Sequence, residues 1–287
     1  MSLFDKLRRA LLVNKNADQN PSLDFQKEFR VELDHQGAFP DCYAFSLHKA
    51  GSTLMNTMIE QVCREASIPA LNIPSKLFSM GITGNDWEND RRILPLIGHG
   101  RIYYGFRFLP NILLSKSLSM REKKSVLLVR DPRDALTSQY YSFGAKYFSH
   151  KLPKTNQAAF LEGAKGDVDW NIDAYVTTYA AAYKQKLQSY KDNLDFENML
   201  LFRYEEIFFD KRKFIGDIFS HFGISVAPAI LDVVAEKNDV RPEKEDTTKH
   251  IRKGIPGDHA TKLKKETINI LNDTFRDIAA PFGYDLR

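Results

Sequence analysis

Residues 41–60 read DCYAFSLHKAGSTLMNTMIE. Cys42 to Leu47 is a short, mostly apolar run with aromatics, the pattern of a buried strand. His48-Lys49-Ala50-Gly51-Ser52-Thr53 follows. Leu54, Met55, Met58, Ile59 and Val62 then recur at helical spacing. The stretch is therefore strand, tight loop, helix. Such a loop ends where free backbone N–H groups and the positive end of the helix dipole gather, which makes it an anion site. Gly51 lets the backbone approach an anion, Ser52 and Thr53 add hydroxyl donors, and Lys49 adds a mobile point charge. A plain helix cap with a solvated lysine would use the same residues. The loop is not a Walker A loop, because the lysine precedes the only glycine instead of following the last one.

Outward from this unit, apolar runs alternate with helical patterns. Arg101 to Phe108 (RIYYGFRF) reads as a second strand, with a helix starting at Leu109-Pro110. Ser125 to Val129 is the clearest buried strand and runs into Arg130-Asp131-Pro132-Arg133-Asp134 and a helix. Residues 170–194 read as a long helix. Met199 to Phe202 is a further strand, ending at Arg203-Tyr204, and one helix through Ile207, Phe214 and Phe219 follows, with Gly223 as its stop. Residues 67–98, rich in Pro and Gly, read as interrupted. Residues 236–258 read as a loop, and the last helix is expected from Ala260. The alternation implies an α/β fold, a central parallel β-sheet flanked by helices. Ligands of such sheets bind beyond the carboxyl ends of the strands. Lys49, Arg107, Arg130 and Arg203 all fall there, an expected cluster of positive charge on one edge.

Composition sets the frame. The chain has 287 residues, 43% hydrophobic and 27% charged, and a net charge of +4 from 41 basic and 37 acidic side chains. That is ordinary for a globular protein and too mild to point to nucleic acid, but it suits a site that collects anions. Residues 1–40 read as a lead-in and 41–287 as a single domain. The N-terminal SLFDKLRRALLVNKN is amphipathic: a docking helix, a membrane-surface helix or a frayed end, not a signal peptide. No run is long enough for an integral membrane segment. Cys42 and Cys63 form no C-x-x-C pair and read as reduced core thiols, which suits the cytoplasm.

At RDPRDALTSQYYSF (130–143) the combination closely resembles the 3′-phosphate-binding strand and helix of sulfotransferases that use 3′-phosphoadenosine 5′-phosphosulfate (PAPS). HKAGSTL (48–54) resembles that family's 5′-phosphosulfate loop, P-K-S-G-T-T-W. RKGIPGD (252–258) is similar to its R-K-G-x-x-G-D, and Phe202-Arg203-Tyr204-Glu205 to a segment after a late strand. The matches come in family order and span residues 42–258. The resemblance implies a P-loop-like sulfotransferase fold, PAPS as donor, PAP as product and no metal requirement. It implies that Lys49, Ala50, Gly51, Ser52, Thr53 and Leu54 hold the 5′ end. Arg130, Ser138, Arg252, Lys253 and Gly254 would hold the 3′-phosphate, with Tyr204 near the adenine. Lys49 would neutralise charge on the leaving phosphate oxygen as sulfuryl passes in line to a hydroxyl or amine.

The departures from the family pattern are specific. Leu54 and His259 stand where two family tryptophans usually lie. Thr267-Ile268, with Leu263 and Asn272 at the ends, departs from the family's dimer-forming segment and leaves the oligomeric state open. Phe108 occupies the slot of the catalytic histidine, and residues 66–85 contain no acid. His48, beside Lys49 at the strand end, is the first candidate for the base, followed by Asp86, Glu88 and His99, the last placed before its strand. The acceptor is a small molecule, lipid or carbohydrate, shaped by residues 67–98 and 144–170. Two other readings stand beside this one. A P-loop kinase-like phosphotransferase would use Asp131 as a magnesium ligand, and a catalytically silent nucleotide-binding protein would keep the same fold.

Overall fold

The computed structural model describes residues 24–30, 37–82, 84–114, 118–143, 171–240 and 255–286. The apolar runs pair as one five-stranded, all-parallel sheet in the order β2-β3-β1-β4-β5. The strands are β1 (Cys42–Ser46), β2 (Ala70–Leu71), β3 (Ile102–Phe106), β4 (Lys124–Val129) and β5 (Met199–Arg203). Every residue of β1 and β3 is buried. A strand buried on both faces needs cover on both sides, and this is why these strands read as continuous apolar runs. After β1 the chain moves outward to β2 and β3, then returns to place β4 on the other flank of β1. The strand order therefore reverses at the carboxyl end of β1, the point where open parallel sheets leave a crevice.

The helices are α1 (Phe25–Glu28), α2 (Ser52–Glu65), α3 (Ile73–Ser79), α4 (Gly84–Trp87), α5 (Pro132–Phe143) and α6 (Ile172–Asn193). They continue with α7 (Tyr204–Ile207), α8 (Lys211–Phe222), α9 (Pro228–Lys237), α10 (His259–Lys262) and α11 (Lys265–Ala279). One group, α2, α8 and α9, packs together against the sheet, and a second group gathers α5, α6 and α11. The second group meets β1 through the Phe45 and Tyr190 rings, 5.7 Å apart. Cys42 and Cys63 are free, buried thiols, and burial pushes Cys42 up to about 12.

Several expectations are corrected. Residues 67–98 are more regular than their prolines suggest. Asn72 caps α3 by accepting from the Ser75 N–H at 3.0 Å, and Pro74 sits in the first turn, where its missing N–H costs nothing. The helix expected at Leu109-Pro110 is only a 3₁₀ turn, Asn111–Leu114. The single helix expected through Ile207 and Phe219 is two, because the Asp210 side chain accepts from Lys213 N–H and begins α8 afresh. Gly223 ends α8 at φ +73° as expected. The last helix is also divided, since Leu263 is extended between α10 and α11. From the lead-in, Phe25 and Phe29 are buried in the core, with Arg92 over the Phe25 ring at 4.5 Å. The amphipathic N-terminal stretch, the 144–170 segment and Arg252, Lys253 and Gly254 lie outside the described residues. No helix among the described residues is long and apolar enough to cross a membrane.

Candidate functional site

The turn between β1 and α2 is built by backbone. Leu47 N–H continues the β4 ladder to Leu128 O at 3.1 Å, and Ala50 N–H folds back to Leu47 O at 3.2 Å. Lys49 takes φ +66° and Gly51 φ +91°. Gly51 is required twice over: the left-handed backbone favours it, and a Cβ there would lie 2.7 Å from the Tyr204 ring. Gly51 is also the N-cap of α2, which has no side-chain cap and no acid in its first turn. The positive end of the helix is thus left to whatever enters the crevice. Ser52 is buried, Thr53 exposed and Leu54 half-buried.

Lys49 reaches across to α5, where its ammonium donates to Ser142 Oγ at 2.5 Å. Ser142 is a site residue that sequence reasoning missed. Asp134, Ser138 and Ser142 stand at i, i+4 and i+8 on α5 and so share one stripe, about 12 Å long at the helical rise. Ser138, half-buried, is the middle of that stripe.

The other end of the stripe is an ion network. Arg130, only 8% exposed, lies just past β4 with its guanidinium carbon 4.6 Å from the centre of the Tyr204 ring. Its Nη2 meets Asp134 at 3.4 Å and its Nη1 donates to Lys49 O at 3.4 Å, which ties the two ends together. Its Nε is buried with no hydrogen-bond partner among the described residues. Asp134 also accepts from Gly257 N–H (2.6 Å), His259 N–H (2.9 Å) and His259 Nδ1 (2.6 Å). Burial alone would raise its carboxyl. The His259 ring, Arg130 and the two backbone N–H groups outweigh burial and hold it well below the usual carboxylate range. Asp134 is therefore the post to which the end of the 252–258 segment is fastened. Its place in R-D-P-R-D was visible in the sequence, but this role was not.

Tyr204, expected near an adenine, sits between Gly51 and Arg130, so it underlies the turn and orients the arginine. Arg107 is half-buried past β3, where burial works against its charge. Arg203 does not join the cluster. It pairs with Glu206, donates to Gly283 O at 2.7 Å and lies over Tyr284, facing the C-terminal segment. Asp131 is bonded through both oxygens to Arg133, at 3.0 and 2.6 Å, and its N–H donates to Glu205 at 2.9 Å. A carboxylate occupied in this way is poorly placed to serve as the magnesium ligand of a kinase-like reading.

Among the candidate bases, His99 precedes β3 and bonds Pro95 O at 2.9 Å, at the opposite edge of the sheet. Asp86 and Glu88 flank Trp87, whose buried ring packs on Phe108 at 5.4 Å. Phe108 is thus part of an aromatic wall and has no proton chemistry. His48 lies at the end of β1, with its carbonyl accepting from Tyr183 OH at 3.3 Å and its Nδ1 3.4 Å from Lys186 Nζ.

Comparison with known proteins gives a consistent match. The sulfotransferase domain family matches residues 40–283. Sulfotransferase 2A6 of Rattus norvegicus is 29% identical over 137 residues, 48% of this chain and 44% of that protein. Sulfotransferase 2A1 of the same organism is 24% identical over 189 residues, 61% of this chain and 63% of that protein. The chain thus spans less than two thirds of the length of these curated relatives. Among solved structures, mouse sulfotransferase SULT7A1 complexed with PAP superposes with a TM-score of 0.51 at 20% identity, over 89% of each chain. Retinol dehydratase in a complex with retinol and PAP gives a TM-score of 0.50 at 13% identity, over 91% of this chain and 88% of that one. At such identities the likeness is one of fold.

Proposed function

The chain belongs to the sulfotransferase domain family, and on that premise we propose that it transfers a sulfuryl group from PAPS to a hydroxyl or amine of a small acceptor. What supports the reading is the meeting, just past the neighbouring strands β1 and β4, of two groups suited to anions. The uncapped α2 N-terminus with Lys49 is one. Arg130, buried with no partner for its Nε among the described residues, is the other. A buried guanidinium nitrogen without an acceptor is costly, and a phosphate oxygen would satisfy it. PAPS carries anionic groups at both ends, and the residues present fit it.

In this reading, residues 49–54 hold the 5′-phosphosulfate, and Arg130 and Ser138 hold the 3′-phosphate with Arg252, Lys253 and Gly254. When bound, PAPS supplies an activated sulfuryl group on a good leaving phosphate. Lys49 places its ammonium where negative charge grows on that phosphate, a task that needs no metal ion. His48 takes the acceptor proton in place of the histidine that Phe108 replaces. Tyr204 holds the Arg130 guanidinium in place beside the turn. Phe108, half-buried and backed by the buried Trp87 ring, offers an apolar surface to an aromatic, lipid or sugar acceptor. The buried thiols fit a reducing compartment such as the cytoplasm.

The test is transfer of ³⁵S from labelled PAPS to a panel of phenol, sterol, retinoid and sugar alcohols, with EDTA present. Label in an acceptor, lowered about 100-fold by Lys49→Met, is the expected result. Transfer of ³²P from labelled ATP instead, restored only by magnesium, would replace this reading with the kinase-like one.

A further inference from the structure

The carboxyl end of β3 carries an arginine, Arg107, that the donor site does not use. The strand is irregular just before it. Tyr103 stands opposite Tyr43, but Phe106 stands opposite Phe45, so β3 holds one extra residue beside Gly105. Gly105 takes φ +95°, and a Cβ on it would clash with the Asn72 side-chain oxygen, so glycine is required. An extra residue in one strand re-aims the side chains that follow it. Phe106 then reaches Trp87 at 6.3 Å, and its carbonyl accepts from Ser46 Oγ at 3.1 Å. Phe108 also packs on Trp87, at 5.4 Å, and closely against Gly84 of α4. Arg107 is thus held between two fixed neighbours, level with the end of β1.

Arg92, Arg130 and Arg133 each face a carboxylate. Arg107, half-buried, meets none among the described residues, and burial alone works against its charge. A guanidinium keeps its proton all the same, so the cost of burying it stands until an anion arrives. The neighbouring strand end repeats the pattern. Lys186 of α6 has its Nζ 3.4 Å from His48 Nδ1, and no carboxylate pairs with it among the described residues. Burial lowers its amine to about 8, which leaves it mostly charged at pH 7. Tyr183 and Tyr190 of the same helix donate to the carbonyls of His48 and Ser46, at 3.3 and 3.1 Å, and fix α6 against the end of β1. β3 and β4 lie on opposite sides of β1, so Arg107 and Arg130 flank the end of β1 from opposite sides.

Resting on the sulfotransferase reading above, we propose that Arg107 is a specificity-determining residue that binds a carboxylate on the acceptor, so that the substrates are hydroxy or amino acids with an apolar body. The planar fork of a guanidinium matches the two oxygens of a carboxylate. Lys186 adds attraction from the end of β1. The apolar remainder of such a molecule suits the Phe108 surface, one residue on. The carboxylate is unchanged in the reaction. It anchors the molecule, and a hydroxyl or amine elsewhere on it takes the sulfuryl group. A neutral acceptor leaves Arg107 without its anion, and the site discriminates against it for that reason.

The experiment compares two acids, 4-hydroxyphenylacetate and lithocholate, with their methyl esters, which lack the charge and keep the rest of the molecule. Each is titrated calorimetrically into the full-length protein with and without PAP, and each is offered as acceptor of ³⁵S from labelled PAPS. The wild-type protein is expected to bind the acids about 10-fold or more tightly than the esters, and to show the same preference in kcat/KM. Arg107→Gln abolishes the preference. Arg107→Lys, which keeps the charge and loses the fork, retains part of it. PAP affinity, expected to match wild type in both variants, reports that they are folded. No preference for acid over ester in the wild-type protein overturns the proposal, as does a preference that survives Arg107→Gln. A loss of PAP affinity in both variants, or an equal fall in transfer to acid and ester, would assign Arg107 to the donor and also overturn it. A protein that binds the acids through Arg107 but neither binds PAP nor transfers ³⁵S keeps the carboxylate site and overturns the sulfotransferase reading instead.

Discussion

The carboxyl ends of β4 and β5 lie side by side, Val129 opposite Arg203, and each delivers an arginine to the same edge of the sheet. Their fates differ. Arg130 stays buried between Tyr204 and Asp134, with no partner for its Nε among the described residues. Arg203 turns outward to Glu206, Gly283 and Tyr284, with its side chain 37% exposed. A charge that is buried and incompletely bonded is ready for a ligand, and one that is exposed and paired is a surface feature. Position at a strand end locates a residue, and the neighbours that receive its side chain decide what it does.

The difference can be broken or sharpened by substitution. The largest effect is expected for Arg130→Ala, which should weaken PAP binding by about 100-fold or more, the cost of a lost buried charge-assisted contact. Calorimetry reads it, and an effect of only a few-fold would make Arg130 no different from Arg203. Lys49→Met should lower kcat by about 100-fold while PAP affinity changes little, because its charge is needed most where charge develops. An equal loss in both quantities would assign Lys49 to ground-state binding.

Asp134→Asn should destabilise the fold by about 3 kcal/mol at pH 7, since it leaves Arg130 and the His259 segment short of a buried partner. The sign of its pH dependence follows from the direction of its shift. The folded carboxyl lies below its unfolded value, so its stabilisation is full above about pH 4 and is lost as pH falls through the folded value. The gap between wild type and variant in denaturant melts should be flat from pH 7 to 5 and close below pH 4. A gap that widened in acid would reverse the assignment. Gly51→Ala should cost about 1–3 kcal/mol from backbone strain and the clash with Tyr204. The smallest effect belongs to Arg203→Ala, under about 1 kcal/mol on stability and none on PAP affinity.

What the sequence made legible follows from what periodicity can carry. The continuous apolar runs at 42–47 and 125–129 announced strands buried on both faces, and the loop chemistry at 48–53 announced an anion site at a strand end. The turn at Asp210 and the ordered segment after Asn72 were hidden, because local capping outweighed the broader apolar and Pro/Gly patterns. Ser142 and Lys186 were hidden for another reason. They meet Lys49 and His48 across 93 and 138 residues of chain, and such meetings depend on how α5 and α6 pack, which no local pattern encodes. Arg203 shows the converse, a residue placed at the correct edge whose side chain the C-terminal segment draws away.

The central claim is that two separated anion sites face one crevice and together select a nucleotide phosphorylated at both ends. Calorimetric titration of the full-length chain with adenosine 3′,5′-bisphosphate and with adenosine 5′-phosphate, both without magnesium, tests it most directly. The expected result is binding of the 3′,5′ compound only, lost in Arg130→Ala. Equal binding of the two nucleotides would contradict the claim, because Arg130 and its network would then contribute nothing to recognition.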